Sequence, residues 1–220
     1  SITYSQNGNE NYEQKVTTTI EVNDTNSGIE TETLKYILTK DKEAEPNISI
    51  ENGKELTIES LTGEYYVIVK VCDKVGNCKK EMSEVYHLDN ELPNIVYSQN
   101  GNREYAKSHE TKVEVSDNHN DIETIKYIVT TNKEDIPSEE ITNGETIKLE
   151  NISGTYYVIV EACDKAGNCK KEVSNLFNLD NKKPSVTIDT NGNSTYVKSV
   201  STKITVNDNQ NNLDENTLKY

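Results

Sequence analysis

The four cysteines of this sequence form two pairs with the same spacing. Five residues separate Cys72 from Cys78 and Cys163 from Cys169, and in both pairs these are Asp-Lys, Val or Ala, and Gly-Asn. This composition is typical of a hairpin tip, where the flanking side chains face each other with Cβ atoms about 4 to 5 Å apart. The spacing therefore predicts a local disulfide in each pair and an oxidising compartment. Free thiols and a zinc site are the alternatives, although zinc-binding cysteines usually stand about two to four residues apart.

Acidic and amide side chains at turns could offer oxygen ligands to calcium. The candidates are Asp24 and Asn26 in one turn, Asp73 and Asp164 in the two hairpin tips, and Asp89, Asn90, Asp180 and Asn181 further along the chain. Asp and Asn at turns commonly accept hydrogen bonds from the backbone, and no stretch has the ligand spacing of an EF-hand. The sequence therefore predicts no required cofactor and leaves calcium at these turns as an alternative.

The elements that position these residues belong to a repeat of about 92 residues. Residues 63–81 and 154–172 are identical at 15 of 19 positions, with an offset of 91, and the segment YSQNGN at 4–9 returns at 97–102. A third copy begins with TNGN at 190–193. We predict three domains: repeat 1 at 1–93, repeat 2 at 94–184 and the N-terminal part of a third repeat at 185–220. We interpret the sequence as a part of a longer array.

The junctions between the repeats have matching sequences. Pro93 and Pro184 lie in LDNELPNI and LDNKKPSV, where an acid, an Asn and a Pro stand between two strand-like runs. Such a composition favours a short, stiff connection. We therefore expect each repeat to follow the previous one closely along the chain.

Apolar residues within each repeat alternate with polar ones, which predicts half-buried β-strands. Val16, Ile20 and Val22 follow this period of two in one strand, and Val67 and Val69 in another. About seven short strands per repeat, separated by Asn-Gly and Ser-Gly turns, are typical of a small sandwich of two sheets. Ile, Leu, Val and Phe make up only 49 of 220 residues, which favours several small cores over one large core. The predicted fold class is all-β, with tandem immunoglobulin-like β-sandwich domains in an elongated array.

One turn position can be compared in all three repeats. Gly28, Asp121 and Asn212 occupy the same position, each followed by Ile or Leu. Gly, Asp and Asn are the residue types that best tolerate a left-handed backbone. We therefore predict a positive φ at this position.

Charge and composition exclude several classes of function. The chain carries 38 acidic against 23 basic side chains, a formal charge of -15, and Arg103 is its one arginine. A surface of this charge repels nucleic acid. No apolar run approaches the roughly 18 residues that a membrane-spanning helix needs, and no basic and apolar leader begins the sequence. We expect no nucleic-acid partner and no membrane span in this segment.

The sequence offers no recurring catalytic constellation. His87, His109 and His119 fall at positions of the repeat that do not correspond to one another. No His-Asp or Cys-His pair therefore recurs, and the cysteines are better explained as bridges. We predict that the chain is not an enzyme.

Together these motifs resemble the tandem bacterial immunoglobulin-like domains of Gram-positive secreted and cell-surface proteins. The resemblance rests on the GxYYVxV strand at 63–69 and 154–160, the DKxGN hairpin tip, the Asn-Asp turn that leads to a Lys-Tyr strand, and the LDNxxP junction. It covers the whole sequence, and the cysteine pairs depart from it. It implies a non-catalytic extracellular segment that serves as a stalk or as part of an adhesin.

The likeness to immunoglobulin-like sandwiches also implies a structural role for two tyrosines. Tyr65 and Tyr156 each follow an apolar residue and a Gly at the entry to the most apolar strand, as in a tyrosine corner, where the ring is buried and the hydroxyl bonds to the backbone. An ordinary core tyrosine is the alternative.

The sequence supports one leading hypothesis on function and two alternatives. The leading one is a stalk, spacer or filament-forming structural or adhesive module, at a cell surface or secreted, whose partners are neighbouring repeats or other copies. A carbohydrate- or host-protein-binding module is the first alternative, with Tyr66 and Tyr157 as the recurring outward aromatics. The second is a set of accessory domains of a secreted hydrolase.

Overall fold

The computed structural model describes residues 1–210 and 213–219, and its regular structure is almost entirely β-strand. The exception is a 3₁₀ turn at Glu215–Thr217. No helix within the described ranges is long and apolar enough to span a membrane. The all-β class predicted from the alternating pattern is therefore confirmed.

Repeat 1 forms a sandwich of two sheets. Its strands are β1 (Ile2–Tyr4), β2 (Lys15–Val22), β3 (Ile29–Thr39), β4 (Ile48–Ser49), β5 (Glu55–Glu59), β6 (Gly63–Asp73), β7 (Cys78–Met82) and β8 (Tyr86–Leu88). One sheet has the order β1-β2-β5 and the other β4-β3-β6-β7, with β8 paired to the first part of β6. The alternating apolar residues of both sheets, among them Ile20, Ile58, Leu34 and Val67, form one buried core. The immunoglobulin-like sandwich is thus confirmed for this repeat.

Repeat 2 has the same plan with one additional strand. Its strands are β9 (Asn94–Tyr97), β10 (Asn102–Ala106), β11 (Ser108–Ser116), β12 (Ile122–Thr130), β13 (Glu139–Glu140), β14 (Thr146–Glu150), β15 (Gly154–Asp164), β16 (Cys169–Val173) and β17 (Phe177–Leu179). The sheets are β14-β11-β9 and β10-β17-β15-β12-β13, with β16 beside β15. The additional strand β10 runs parallel to β17, where repeat 1 has only an isolated parallel bridge between Glu13 and Leu88.

The described part of the third repeat contains a two-stranded sheet. Strands β18 (Ser185–Ile188) and β19 (Ile204–Asn207) pair antiparallel. Val186, Ile188 and Ile204 are exposed, and Val206 is half-buried. Exposure follows because, among the described residues, no second sheet packs against this pair to close a core.

By packing, the chain divides into two compact units whose limits differ from the repeat limits. The first comprises Ser1–Ile95, Val115–Ile125 and Glu161–Lys171, and the second Val96–Glu114, Lys126–Val160 and Glu172–Tyr220. The first unit therefore contains the whole sandwich of repeat 1 together with two loop regions of repeat 2. The domain limits at 93 and 184 stay predictions from the repeat.

The left-handed turn position is only partly as predicted. Gly28 has a φ of 78°, but Asp121 is absent from the residues with positive φ within the described ranges, so the prediction is wrong there. Asn212 lies outside the described residues. A side chain makes the left-handed backbone costly, and the second repeat avoids it at Asp121. Sequence reasoning missed a different recurring position, Ser60 and Asn151, where both residues have a φ of 60°.

Candidate functional site

Both predicted disulfides are present in the structure. Cys72 is bonded to Cys78 and Cys163 to Cys169, and the described chain has no free cysteine. In repeat 1 the two cysteines lie directly opposite each other in the β6–β7 ladder, two positions from the opposed pair Lys70 and Lys80. Each bridge therefore closes a hairpin tip and fixes the loop it encloses.

Two of the calcium candidates in repeat 1 serve as acceptors within their own turns. The Asp24 Oδ2 atom accepts backbone N–H bonds from Gly28 and Ser27 at 2.8 Å and from Asn26 at 3.2 Å. These bonds, the one from Gly28 first, lower the pKa of Asp24. The Asp73 carboxylate accepts from both the side chain and the backbone of Asn77, and its pKa is lowered to about 2.

The hairpin tip of repeat 2 has the same hydrogen bonds within its turn, and it also bonds residues of repeat 1. Asp164 is fully buried and accepts from the backbone N–H of Asn168 at 2.8 Å and from its side-chain amide at 2.9 Å. The Asn168 amide also donates to the backbone carbonyl of Asp89 at 3.0 Å, while its oxygen accepts from Gln14 at 2.9 Å. Asn168 thus ties the second hairpin tip to two segments of repeat 1.

Asp89 ends the last strand of repeat 1 at this junction. Its side chain is fully buried, and its backbone N–H donates to Glu13. One carboxylate oxygen accepts the backbone N–H of Glu91 at 3.0 Å, and the other accepts the Asn120 amide at 2.5 Å. A second amide of the same loop, that of Asn118, donates to the Glu91 carboxylate at 3.2 Å.

The loop that faces Asp89 contains two residues that the sequence-based candidate set omitted. Asp117 accepts the backbone N–H groups of His119 at 2.9 Å and of Asn120 at 3.1 Å. Donor atoms of Asp89, Asp117 and His119 lie within 4.8 Å of one another. A signal was available, because Asp117 and His119 stand where repeat 1 has Asp24 and Asn26.

A tyrosine packs between two histidines beside this loop. The Tyr12 ring lies 5.1 Å from the His87 ring and 5.4 Å from the His119 ring, measured between centroids. The Nδ1 atom of His119 lies 3.6 Å from a carboxylate oxygen of Glu91. The junction therefore combines buried acids, amides and two imidazoles around an aromatic ring.

The remaining calcium candidates have structural partners. The Asn90 amide donates to the carbonyls of Gln14 and Leu61, and Asn181 makes the equivalent bonds to Lys107 and Ile152. Asp180 accepts the backbone N–H of Lys182 at 3.0 Å. Of the eight candidates, only Asp89 lies in a metal-ligating group within the described residues. Calcium binding by the others stays an untested alternative, and their hydrogen bonds fit the turn role that the sequence favoured.

The tyrosine-corner role of Tyr65 and Tyr156 stays a prediction, whereas other tyrosines make hydroxyl-to-backbone bonds in the structure. Both of these rings are half-buried, and neither hydroxyl takes part in a hydrogen bond with the described residues; the Lys40 ammonium lies 4.9 Å from the Tyr65 ring centre. Tyr4 and Tyr97, which correspond at an offset of 93, donate instead to carbonyls of the opposite sheet. Strand alternation identifies inward tyrosines but does not reveal which hydroxyl reaches across the core.

The two outward aromatics do not present free platforms. The Lys42 ammonium lies 4.8 Å from the Tyr66 ring centre, and Lys133 lies at the same distance from Tyr157. Both tyrosine side chains are half-buried. A sugar that stacks on either ring would have to displace an ammonium group held by a cation–π contact.

Fold and junction together define a tandem immunoglobulin-like β-sandwich repeat with a polar junction. No family model matches the sequence, and no curated protein does. Among solved structures, the chain is similar to the fibronectin(III)-like modules of CbhA from Clostridium thermocellum, at 12% identity and a TM-score of 0.33. That match covers 81% of this chain and 94% of the other. A likeness at this level carries no information on function.

Proposed function

We propose that this chain is a non-catalytic repeat segment of a bacterial extracellular surface protein, in which it acts as a spacer or as a structural module of a stalk or filament. The observation that carries the proposal is the polar closure of the junction between repeats 1 and 2. The two disulfides of the chain fit an oxidising, extracellular compartment. As a spacer, the chain would act by holding the parts of the protein on either side of it apart at a fixed distance.

Contacts at the junction support stiffness over free hinging. A solvated linker would leave Asp89 exposed, yet its side chain is fully buried and bonded to Asn120. Asn168 bonds both Asp89 and Gln14, which lie 79 and 154 residues away in sequence. Bending at this point breaks buried hydrogen bonds, and a buried polar group left without a partner costs about 1 to 3 kcal/mol.

The chain offers a matched pair of substitutions to test the proposal. Asn168→Ala removes the bonds to Asp89 and Gln14. Asn77→Ala changes the equivalent position of repeat 1, whose side-chain amide bonds, among the described residues, only Asp73 of its own turn. Single-molecule energy transfer would use dyes on one exposed residue of each repeat, such as Glu55 and Lys148.

Wild type is expected to give one narrow distribution of distances between the dyes. Asn168→Ala should broaden this distribution, and Asn77→Ala should leave it unchanged. A wild-type distribution as broad as that of Asn168→Ala would contradict the proposed spacer role, because the two repeats would already move freely.

A further inference from the structure

Three side chains that can ligate a metal ion meet at the junction. Donor atoms of Asp89, Asp117 and His119 all lie within 4.8 Å of one another. Asp89 is fully buried, and no Lys or Arg in the described ranges forms an ion pair with either aspartate. Two carboxylates at this distance repel each other, and exclusion of water strengthens the repulsion. A divalent cation would relieve it.

The imidazole of His119 adds a nitrogen ligand to the two carboxylates, on a side chain that is 26% exposed. Its Nδ1 atom is buried and has no hydrogen-bond partner among the described residues. Buried polar atoms are normally satisfied, so an orphaned ring nitrogen calls for an explanation. A metal ion would accept its lone pair.

We propose that Asp89, Asp117 and His119 bind one first-row divalent transition metal ion, for which Zn²⁺ is the best fit. Zn²⁺ takes imidazole nitrogen and carboxylate oxygen at about 2.0 to 2.2 Å, whereas Ca²⁺ takes about six to eight oxygens. The ligand atoms of a tetrahedral Zn²⁺ site lie about 3.3 Å apart, so the donor atoms here, all within 4.8 Å of one another, need at most a small adjustment to reach that spacing.

The aspartates of the site are already oriented by neighbouring groups. The Glu91 backbone and the Asn120 amide hold Asp89, and the loop backbone holds one oxygen of Asp117. Such outer hydrogen bonds fix the direction in which a carboxylate presents its lone pairs. The ion would link the last strand of repeat 1 to a loop of repeat 2.

Equivalent loops of the other repeats lack the nitrogen ligand. The position of His119 is Asn26 in repeat 1 and Gln210 in the third repeat, while Asp117 corresponds to Asp24 and Asp208. Of the three equivalent loops, the one that faces Asp89 is the one with a histidine. Because the third repeat has Gln210 at this position, His119→Gln is the substitution that best suits the loop.

Calorimetric titration of the EDTA-treated full chain with ZnCl₂ tests this site. We expect one Zn²⁺ per chain with a Kd in the micromolar range or below, and no comparable binding of CaCl₂. His119→Gln and Asp117→Asn should each weaken Zn²⁺ binding at least tenfold. His109→Gln is the control, because His109 contacts backbone carbonyls of Glu104 and Asn178 elsewhere.

Two results would overturn the proposed site. One is the absence of saturable binding of one Zn²⁺, or a preference for Ca²⁺; the other is an affinity for Zn²⁺ that His119→Gln leaves unchanged. Circular dichroism would verify that the variants are folded, and Co²⁺ absorption would report nitrogen ligation that is lost in His119→Gln. Binding is measured directly, so this result does not depend on the spacer role, whose energy-transfer test can fail separately.

Discussion

Replacement of Tyr4 by Phe removes one hydroxyl that connects the two sheets of repeat 1. This hydroxyl, on β1, donates to the carbonyls of Val67 on β6 and Glu81 on β7, at 3.2 Å each. The Val67 carbonyl keeps a second donor, the backbone N–H of Ser83. A net hydrogen bond is worth about 0.5 to 1.5 kcal/mol, so we expect the free energy of unfolding to fall by about that amount.

The same substitution at Tyr97 should weaken repeat 2 equally, because its hydroxyl bonds Val158 and Glu172 in the corresponding way. Urea unfolding and calorimetry would measure both variants; a loss of 1 kcal/mol lowers the Tm of a domain of this size by about 4 to 8 °C. Tyr105→Phe, at an exposed position, is the control. Unfolding curves of Tyr4→Phe and Tyr97→Phe that match wild type would refute the assigned role of these hydroxyls.

Alkaline pH provides a second measurement on the same residues. Burial is the main cause that raises the pKa of Tyr4 and of Tyr97, followed by the nearby carboxylates Glu81 and Glu172. Unfolded tyrosine releases its proton near pH 10 while the folded residue keeps it, so stability is complete below about pH 10 and falls above it. Each such tyrosine contributes a slope of about 1.4 kcal/mol per pH unit. Between pH 8 and 11, Tyr4→Phe and Tyr97→Phe should show a shallower loss of stability than wild type.

Three further predictions concern other contacts. Hydrogen bonds lower the pKa of Asp73 to about 2. The contribution of this carboxylate to the free energy of unfolding is therefore complete above about pH 4 and is lost as the pH falls towards 2. Over this range the Tm of Asp73→Asn should vary less than that of wild type. Replacement of Cys72 and Cys78 by Ser should reduce the free energy of unfolding by about 2 kcal/mol in urea, as expected for so small a ring, and equal stability would contradict it. Ser83→Ala should destabilise by about 1 to 3 kcal/mol, because its hydroxyl accepts the buried N–H of Val67 at 2.9 Å; hydrogen exchange at that amide would report the change.

The sequence predicted those features that depend on residues close together in the chain. Alternation of Val16, Ile20 and Val22 with polar neighbours defined an inward face, and the repeat showed that two sandwiches follow the same plan. The cysteines were predictable because a hairpin tip places its flanking residues opposite each other, as Cys72 and Cys78 are. Local geometry alone determines these features.

Features that depend on approach through space were not predictable in the same way. Asp89 was chosen for its turn composition, but its burial depends on Asn120 and Asn168, which come from two separate loops. The hydroxyl of Tyr4 reaches the carbonyls of Val67 and Glu81 because the fold places β1 across the core from β6 and β7, which no local pattern shows. His119 appeared unrelated to the other histidines because its partners are acids of the junction.

The disulfide of repeat 2 has a consequence for behaviour under mechanical load. Asn168, which bonds Asp89 and Gln14, lies inside the ring closed by Cys163 and Cys169. A pulling force that separates β16 from β15 cannot extend the residues within that ring. The loop that holds the junction therefore keeps its shape after the strands beside it begin to part, and a stretched chain would re-form the same contact when the tension is released.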